Sequence, residues 1–351
     1  MGVKALSSQG SHGVVVLGYA VTPLHPGVGR SPGIVDLPVQ RDPMGYPIVF
    51  ASSIKGALKA ECGRRLDPNG GCFNDEGRLA CSKGGESDCS LCCCLFGHEP
   101  GEEQATGLLS VLDFIPLAFP VPSLDRGYVY VTTPYLARRV VSILDAIDAK
   151  GDLTELRSFL SDITESGQER SENPPKLRGC LGGSGRVAIV LDEFDGVEEL
   201  SNCQHLGILE KLGGLAQDIS SRLVVVPDDA GPLYVEKSLV RITRVRLNIA
   251  TKTVSGRALW TEEYIPAGTL FLGGLIATLP KRNKYCRNVL RSGEAGEGEL
   301  AIVSDSAVSV ILEKFREAMK LDKNNVTYMV IGGKETIGKG LVKLQIHTIS
   351  G

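Results

Sequence analysis

Aromatic side chains are scarce in this chain of 351 residues: 9 Phe, 9 Tyr and one Trp, 5% in all. Glycine is abundant instead, at 42 residues. That balance implies short strands set among turns and loops. A dominant charge is missing too, since 38 Lys and Arg face 41 Asp and Glu for a net charge of −3. A free-standing, sequence-blind nucleic-acid binder is usually basic overall, so this class is disfavoured, although a local basic groove is compatible. No apolar run is long enough to cross a bilayer. The start, Met1-Gly2-Val3-Lys4, lacks a signal-peptide layout, and the expectation is a cytoplasmic protein with no membrane contact. Three catalytic signatures are absent as well: a Ser-His-Asp arrangement, the Rossmann G-x-G-x-x-G and the zinc-protease H-E-x-x-H. Several enzyme classes fall away with them. Hydrophobic content of 42% and charged content of 23% are those of an ordinary globular protein. The length suits one elaborated domain spanning 1–351.

The most distinctive stretch present is the glycine-rich tail Ile331-Gly332-Gly333-Lys334-Glu335-Thr336-Ile337-Gly338-Lys339-Gly340. Gly333 to Lys339 has the spacing of a phosphate-binding P-loop, but Gly340 stands where that motif needs a hydroxyl for magnesium. Leu341 to His347 then alternates apolar and polar residues, which reads as a strand, not the helix of an NTPase. The loop has little side-chain bulk and two lysines. It is either a tight β-turn or a place where a polyanion backbone approaches closely.

Cysteine is unevenly distributed. Seven of ten lie between Cys62 and Cys94, with His98 close behind, defining a Cys-rich insertion over 62–98. Three states are open: structural zinc, disulfides and free thiols. Cys89-Ser90-Leu91-Cys92 forms a C-x-x-C knuckle, and Cys72 and Cys81 complete a possible tetrahedral zinc site.

Along the chain, strands are expected at 14–21, 108–114, 128–132, 186–194, 222–227 and 269–278, and on both flanks of the glycine loop. Helices are expected after the Ser52-Ser53 cap, at 135–149, at 206–220 and at 307–320. Residues 166–186 hold Pro174-Pro175 and Gly182-Gly183 and are the candidate protruding arm. The order suits an α+β fold with an RRM-like or ferredoxin-like sheet.

Three constellations could carry chemistry. His25 and Asp36 share a loop straight after the first strand, where one could move a proton and the other bind a hard cation. Glu262, Glu263 and Tyr264 follow the only Trp, with Glu262 and Tyr264 on one face of an extended chain. Lys55 sits at a helix start behind Ser53, which favours an anion. Each also has a plain structural reading, and the arginines Arg241, Arg244 and Arg246 can be a solvated face.

Taken in order, Pro23-Leu24-His25-Pro26-Gly27, Val35-Asp36-Leu37-Pro38-Val39-Gln40-Arg41, Ser52-Ser53-Ile54-Lys55-Gly56, Leu95-Phe96-Gly97, Glu262-Glu263-Tyr264-Ile265-Pro266 and the glycine tail resemble the RAMP superfamily. Within it they are similar to the fourth subunit of the Cmr complex, the repeating backbone of type III-B CRISPR effectors. The resemblance implies an RRM-like palm with inserted finger and thumb elements. It implies stacking of copies along a CRISPR guide RNA, beside other Cmr subunits, and cutting of target RNA at regular intervals with Mg2+ or another divalent cation. It places Asp36 as the decisive catalytic residue, with His25, Glu262 and Tyr264 assisting. Lys55 and Ser53, and Gly332, Gly333, Lys334, Thr336, Gly338 and Lys339, become RNA contacts. The cysteine insertion is similar to the zinc-binding finger of the related Csm backbone subunit, and the thumb is sought at 166–186. Two further readings fit the same fold: a non-catalytic RNA-binding scaffold and a guide-processing ribonuclease.

Overall fold

A computed structural model describes residues 13–81, 89–98, 105–147, 153–166, 177–182, 186–194, 196–210, 212–277, 286 and 305–348. The strands are β1 (Gly13–Ala20), β2 (Leu109–Val111), β3 (Ile115–Ser123), β4 (Gly127–Thr132), β5 (Leu177–Cys180), β6 (Val187–Ile189), β7 (Asp192–Phe194), β8 (Val197–Glu199), β9 (Leu223–Val225), β10 (Val240–Leu247), β11 (Val254–Tyr264), β12 (Leu270–Ala277), β13 (Val326–Val330) and β14 (Leu341–Thr348). The helices are α1 (Ala51–Leu66), α2 (Cys89–Phe96), α3 (Pro134–Ala146), α4 (Leu153–Ser166), α5 (Gly207–Glu210), α6 (Ile219–Arg222), α7 (Gly231–Ser238) and α8 (Asp305–Ala318).

Ten of these strands form one mixed sheet in the order β13-β14-β1-β12-β3-β4-β9-β5-β8, with β2 also on β12. Pairing is antiparallel except for β4 with β9 and β5 with β8. β1 is buried along its whole length, as an apolar run at the centre of a covered sheet must be. Helix α8 packs on β1 and β12, α1 on β13, and α3 on β3 and β12. The protein is thus a mixed α/β fold around a large sheet.

One close approach fixes the centre of that sheet. Gly273 of β12 lies opposite Val16 of β1, and the ring of Phe114 crosses it so tightly that a Cβ there would sit 2.4 Å from Phe114 Cδ1. Gly18 faces the same ring, and Phe114 also stacks on Phe271. The glycines make a slot that locates Phe114, whose backbone in turn pairs with Val49 at the start of α1.

Several expectations need correction. The first helix starts at Ala51, ahead of the Ser52-Ser53 cap, with Phe50 at the cap position and distant Asp113 accepting the Ala51 N–H at 2.7 Å. The expected helix at 206–220 is broken into short turns because Gly213 and Gly214 both adopt positive φ. The expected strand at 186–194 reverses at Val190 and Leu191 into the small hairpin β6–β7. In the arm sought at 166–186, residues 167–176 and 183–185 lie outside the described residues. Leu177–Cys180 is strand β5, paired inside the main sheet, and so is no arm. Two pairs of strands among the described residues are separate from the main sheet, the small hairpin β6–β7 and the longer ribbon of β10 and β11. The distal half of the ribbon exposes Val245, Leu247, Ile249, Val254 and Leu259, with Ile249 86% exposed.

The C-x-x-C stretch of the cysteine insertion, expected as a metal knuckle, lies in helix α2. Helix α2 carries Cys89, Cys92, Cys93 and Cys94, bonded to Cys72, Cys62, Cys81 and Cys286 respectively, while Cys180 joins Cys203. One short buried helix is therefore tied to four segments of chain.

The Gly273 slot yields a stability test. Gly273→Ala, which drives a methyl into Phe114, should destabilise the fold by about 1–3 kcal/mol in urea unfolding. Gly56→Ala, at an exposed position of α1 with nothing within 4 Å of the new carbon, should stabilise by about 0.5–1 kcal/mol. Equal midpoints for the two variants would remove the slot from the account.

Candidate active site

Three segments distant in sequence meet at the end of β11. After β1 the chain bridges Leu24 to Ile265, with hydrogen bonds in both directions at 2.9 Å. His25 then bridges to Gly332 of the glycine loop, its carbonyl accepting the Gly333 N–H at 3.0 Å. Gly332 has φ +85°, and a Cβ would lie 2.6 Å from the His25 oxygen, so only glycine fits. Farther along, Leu37 pairs with β11, donating to the Thr261 carbonyl and accepting from the Glu263 N–H. His25, Asp36, Glu262, Tyr264 and the glycine loop are thereby gathered at one place.

β11 sorts its acids by strand alternation. Glu262 and Tyr264 lie on one face and Glu263 on the other. Glu262 is 1% exposed. Its carboxylate accepts from Lys334 Nζ at 2.5 Å, Trp260 Nε1 at 2.7 Å, Arg244 Nε at 3.3 Å and the Tyr264 hydroxyl. Burial alone would raise its pKa, but the Lys334 ammonium, the Tyr264 hydroxyl and the Trp260 indole outweigh it and hold the carboxyl at about 2. Burial and the neighbouring Glu262 carboxylate raise the Tyr264 pKa, so the phenol keeps its proton. Glu263, also buried, accepts both of its oxygens' bonds from Arg41 Nη2 at 3.0 Å and further bonds from Arg241.

His25 Nδ1 lies 2.7 Å from the Glu263 carbonyl. A carbonyl only accepts, so Nδ1 carries a proton, and in the neutral ring the lone pair is on Nε2. Gly27 leaves room at that nitrogen, since a Cβ there would stand 2.8 Å from Nε2. The His25 ring is 5.4 Å from that of Tyr264, and Lys339 Nζ is 5.4 Å from the Tyr264 ring centre. Asp36 is half-buried, and its Oδ2 accepts the Thr261 N–H at 2.7 Å, one residue before Glu262.

Of the other residues picked out by sequence, Gly332, Gly333, Thr336 and Gly338 are exposed on the loop, with Lys334 and Lys339 half-buried. Ser53 accepts at 3.1 Å from Gln40 Nε2, whose backbone N–H donates to Pro26, so it connects to this cluster. Lys55 lies instead in a groove at the start of α1, with Ser52, Thr106 and Ser110. The four thiols read as zinc ligands, Cys72, Cys81, Cys89 and Cys92, are distributed over three disulfides and build no common centre.

Sequence reading gave no role to Trp260, Arg244, Gln40 or Arg41. Two were within reach of strand alternation: Trp260 is two residues from Glu262, and the β10–β11 register sets Arg244 opposite Trp260. Gln40 and Arg41 needed the tertiary fold, since Gln40 Oε1 accepts from Phe50 N–H at 3.0 Å and Arg41 spans Glu236 and Glu263.

Comparison with known proteins fits this arrangement. The chain is 30% identical to the CRISPR system Cmr endoribonuclease Cmr4 of Pyrococcus furiosus, over 95% of this chain and 95% of that one. It is 30% identical to the CRISPR system CMR subunit Cmr4 of Saccharolobus solfataricus, over 93% and 94%. A chain from the type III-B Cmr-beta complex bound to cognate target RNA superposes with a TM-score of 0.66 at 25% identity, covering 95% of this chain and 96% of its own. Residues 19–343 match the RAMP superfamily, and they include every member of the cluster around Glu262: this chain belongs to that superfamily.

Proposed function

We propose that the chain is the repeating backbone subunit of a type III-B CRISPR effector, binding guide RNA and cutting the complementary target RNA at regular intervals. The carrying observation is the convergence of His25, Asp36, Tyr264, Lys334 and Lys339 at the root of an exposed ribbon. β13-β14-β1-β12 with α1 and α8 is the RRM-like palm, the insertion at 62–98 the finger, and the β10–β11 ribbon the thumb. Copies stack along the guide, alongside other Cmr subunits.

Base pairing supplies sequence specificity, so the protein needs backbone contacts alone, and a net charge of −3 is no obstacle. The glycine loop, with Lys334 and Lys339, faces the phosphates, and Lys55 with Ser53 the guide. The apolar end of the ribbon displaces a nucleotide, which releases the neighbouring ribose from A-form geometry. Its 2′-oxygen can then line up with phosphorus, attack, and expel the 5′-oxygen. His25 Nε2 accepts the 2′-hydroxyl proton. Lys339 and the Tyr264 hydroxyl offset charge on the phosphoryl oxygens. DNA lacks the attacking group and is not cut.

A divalent cation is compatible with one acid here. Glu262 is saturated by four donors, two of them cationic, and Glu263 by two arginines. Asp36, half-buried, has Oδ2 on a backbone N–H and is the member of these three that could hold Mg2+ jointly with RNA phosphate oxygens. When bound, such an ion supplies positive charge to the scissile phosphate.

The Asp36–Thr261 hydrogen bond also favours a second reading, in which Asp36 only braces its loop on a non-catalytic scaffold. Asp36→Asn separates the two, because the amide oxygen still accepts from Thr261 while the charge is gone. In complexes reconstituted with guide and complementary RNA, Asp36→Asn should cut at least 100-fold more slowly in Mg2+, with RNA affinity and melting temperature unchanged. Full-rate cutting by that variant, with RNA still bound, would remove Asp36 from the chemistry and leave it as a brace for its loop.

Replacing Leu247 and Ile249 by Ser should slow cutting about tenfold or more and leave guide binding within a few-fold. Unchanged rates would deny the ribbon its role in displacing the nucleotide.

Glu262 predicts an acid limb of stability. Its folded pKa of about 2 lies below the ordinary 4.5, so its stabilising contribution is complete above about 4.5 and drains away as pH falls towards 2. Urea midpoints followed across that window should fall for the wild type. Glu262→Gln should lower stability at neutral pH and flatten the limb; parallel profiles would exclude the carboxylate as its source.

A further inference from the structure

We propose that Cys81, Cys93 and His98 form a redox-gated soft-metal site, closed as a disulfide under oxidising conditions and able to bind a zinc-class divalent ion once that bond is reduced. The proposal is independent of the RNA chemistry above.

Geometry singles this trio out. Their ligand atoms all lie within 4.8 Å of one another, and no other group of His, Cys, Asp or Glu among the described residues converges so closely. His98 Nδ1 is 3.1 Å from Cys81 Sγ. Tetrahedral zinc ligands sit at ~2.3 Å from sulfur and ~2.0 Å from nitrogen, which places neighbouring donor atoms roughly 3.5–3.8 Å apart. His98 and Cys81 are near that spacing already. Parting the two sulfurs after reduction requires a movement of less than about 2 Å. Two thiolates and an imidazole are a donor set that prefers zinc-class ions to Mg2+ or Ca2+.

Among the four disulfides on α2, access singles it out again. Cys62, Cys72, Cys92, Cys93, Cys94 and Cys180 are wholly buried, and Cys89 and Cys286 nearly so. Cys81 is half-exposed. His98 opens on a groove of about 540 Å³ lined also by Lys59, Phe73, Arg78 and Leu79. A dithiol entering there reaches the Cys81 sulfur before those of the three other disulfides on α2. Its thiolate attacks Cys81, Cys93 departs as thiol, and the second dithiol sulfur closes to release Cys81. Two electrons pass to the cysteine pair and the dithiol leaves as a cyclic disulfide. Metal binding then displaces the two thiol protons, with water from the groove in the fourth position. The consequence is structural: the insertion stays pinned to α2 in both redox states.

Limited dithiothreitol treatment of the full chain, followed by alkylation and peptide mapping, should label Cys81 and Cys93 ahead of Cys62, Cys72, Cys89, Cys92, Cys94 and Cys286. Protein opened in this way should bind one equivalent of cobalt(II) with a thiolate-to-cobalt charge-transfer band, and untreated protein none. His98→Ala, which retains all five disulfides, should weaken cobalt binding at least tenfold. Cys180→Ser with Cys203→Ser should leave it unchanged. Opening of another α2 disulfide first, a missing band, or full cobalt affinity in His98→Ala would each overturn the proposal.

Discussion

The buried carboxylate of Glu262 is the point on which the site depends. Taking a lone carboxylate out of water is expensive, and the expense is offset here by four donors in a small volume. Those donors belong to β10, to β11 and to the glycine loop, so satisfying one charge aligns three pieces of chain. Glu263 does the same on the opposite face of β11, drawing in Arg41 and Arg241 and, through its carbonyl, His25. Adjacent acids thus clamp separate loops to the two sides of a single strand.

Locking these two carboxylates leaves a division of labour. Glu262 and Glu263 have little left to offer a cation, because their lone pairs are already directed at arginine, lysine, indole and phenol. Asp36 keeps an oxygen and partial exposure, and His25 keeps Nε2 beyond its one bond through Nδ1. Lys334 is fixed in position by the internal Glu262 carboxylate, and Lys339 lies over the Tyr264 ring. This is why local cationic groups can be held ready in a chain that is nearly neutral overall.

How much of this was legible in the sequence differed by level. Apolar runs gave β1 and β12, and the amphipathic pattern gave α8, because burial imposes a period on the chain. The gathering of Asp36, Glu262, Tyr264 and the glycine loop was readable only as a family's ordered motifs. No local rule brings residue 36 to residue 261. Strand alternation did put Glu262 with Tyr264 and apart from Glu263. The break at Gly213-Gly214 was visible as two glycines in an otherwise helical pattern, but positive φ is a choice made by the surrounding fold. The cysteines were open between zinc and disulfides because spacing carries no information on pairing. The arm sought at 166–186 lies largely outside the described residues, with Leu177–Cys180 a strand of the main sheet; Gly and Pro richness marks irregular backbone without saying whether it projects, and the ribbon of β10 and β11 is ordinary in composition.

That ribbon and the acid cluster share strand β11. On the β10 side the pairing runs from Leu247, opposite Val254, to Ile242, opposite Glu262, five steps of extended backbone or about 17 Å at the usual rise, and β11 takes up its extra residues in an irregularity between them. A paired ribbon resists compression along its axis, so the separation between its apolar end and the acid cluster at its root is a manufactured length, like the throw of a punch. In a stack of identical copies that offset is the same at every subunit, so the interval between cuts would be set by the rise from one subunit to the next, with no part of the machine needing to count nucleotides.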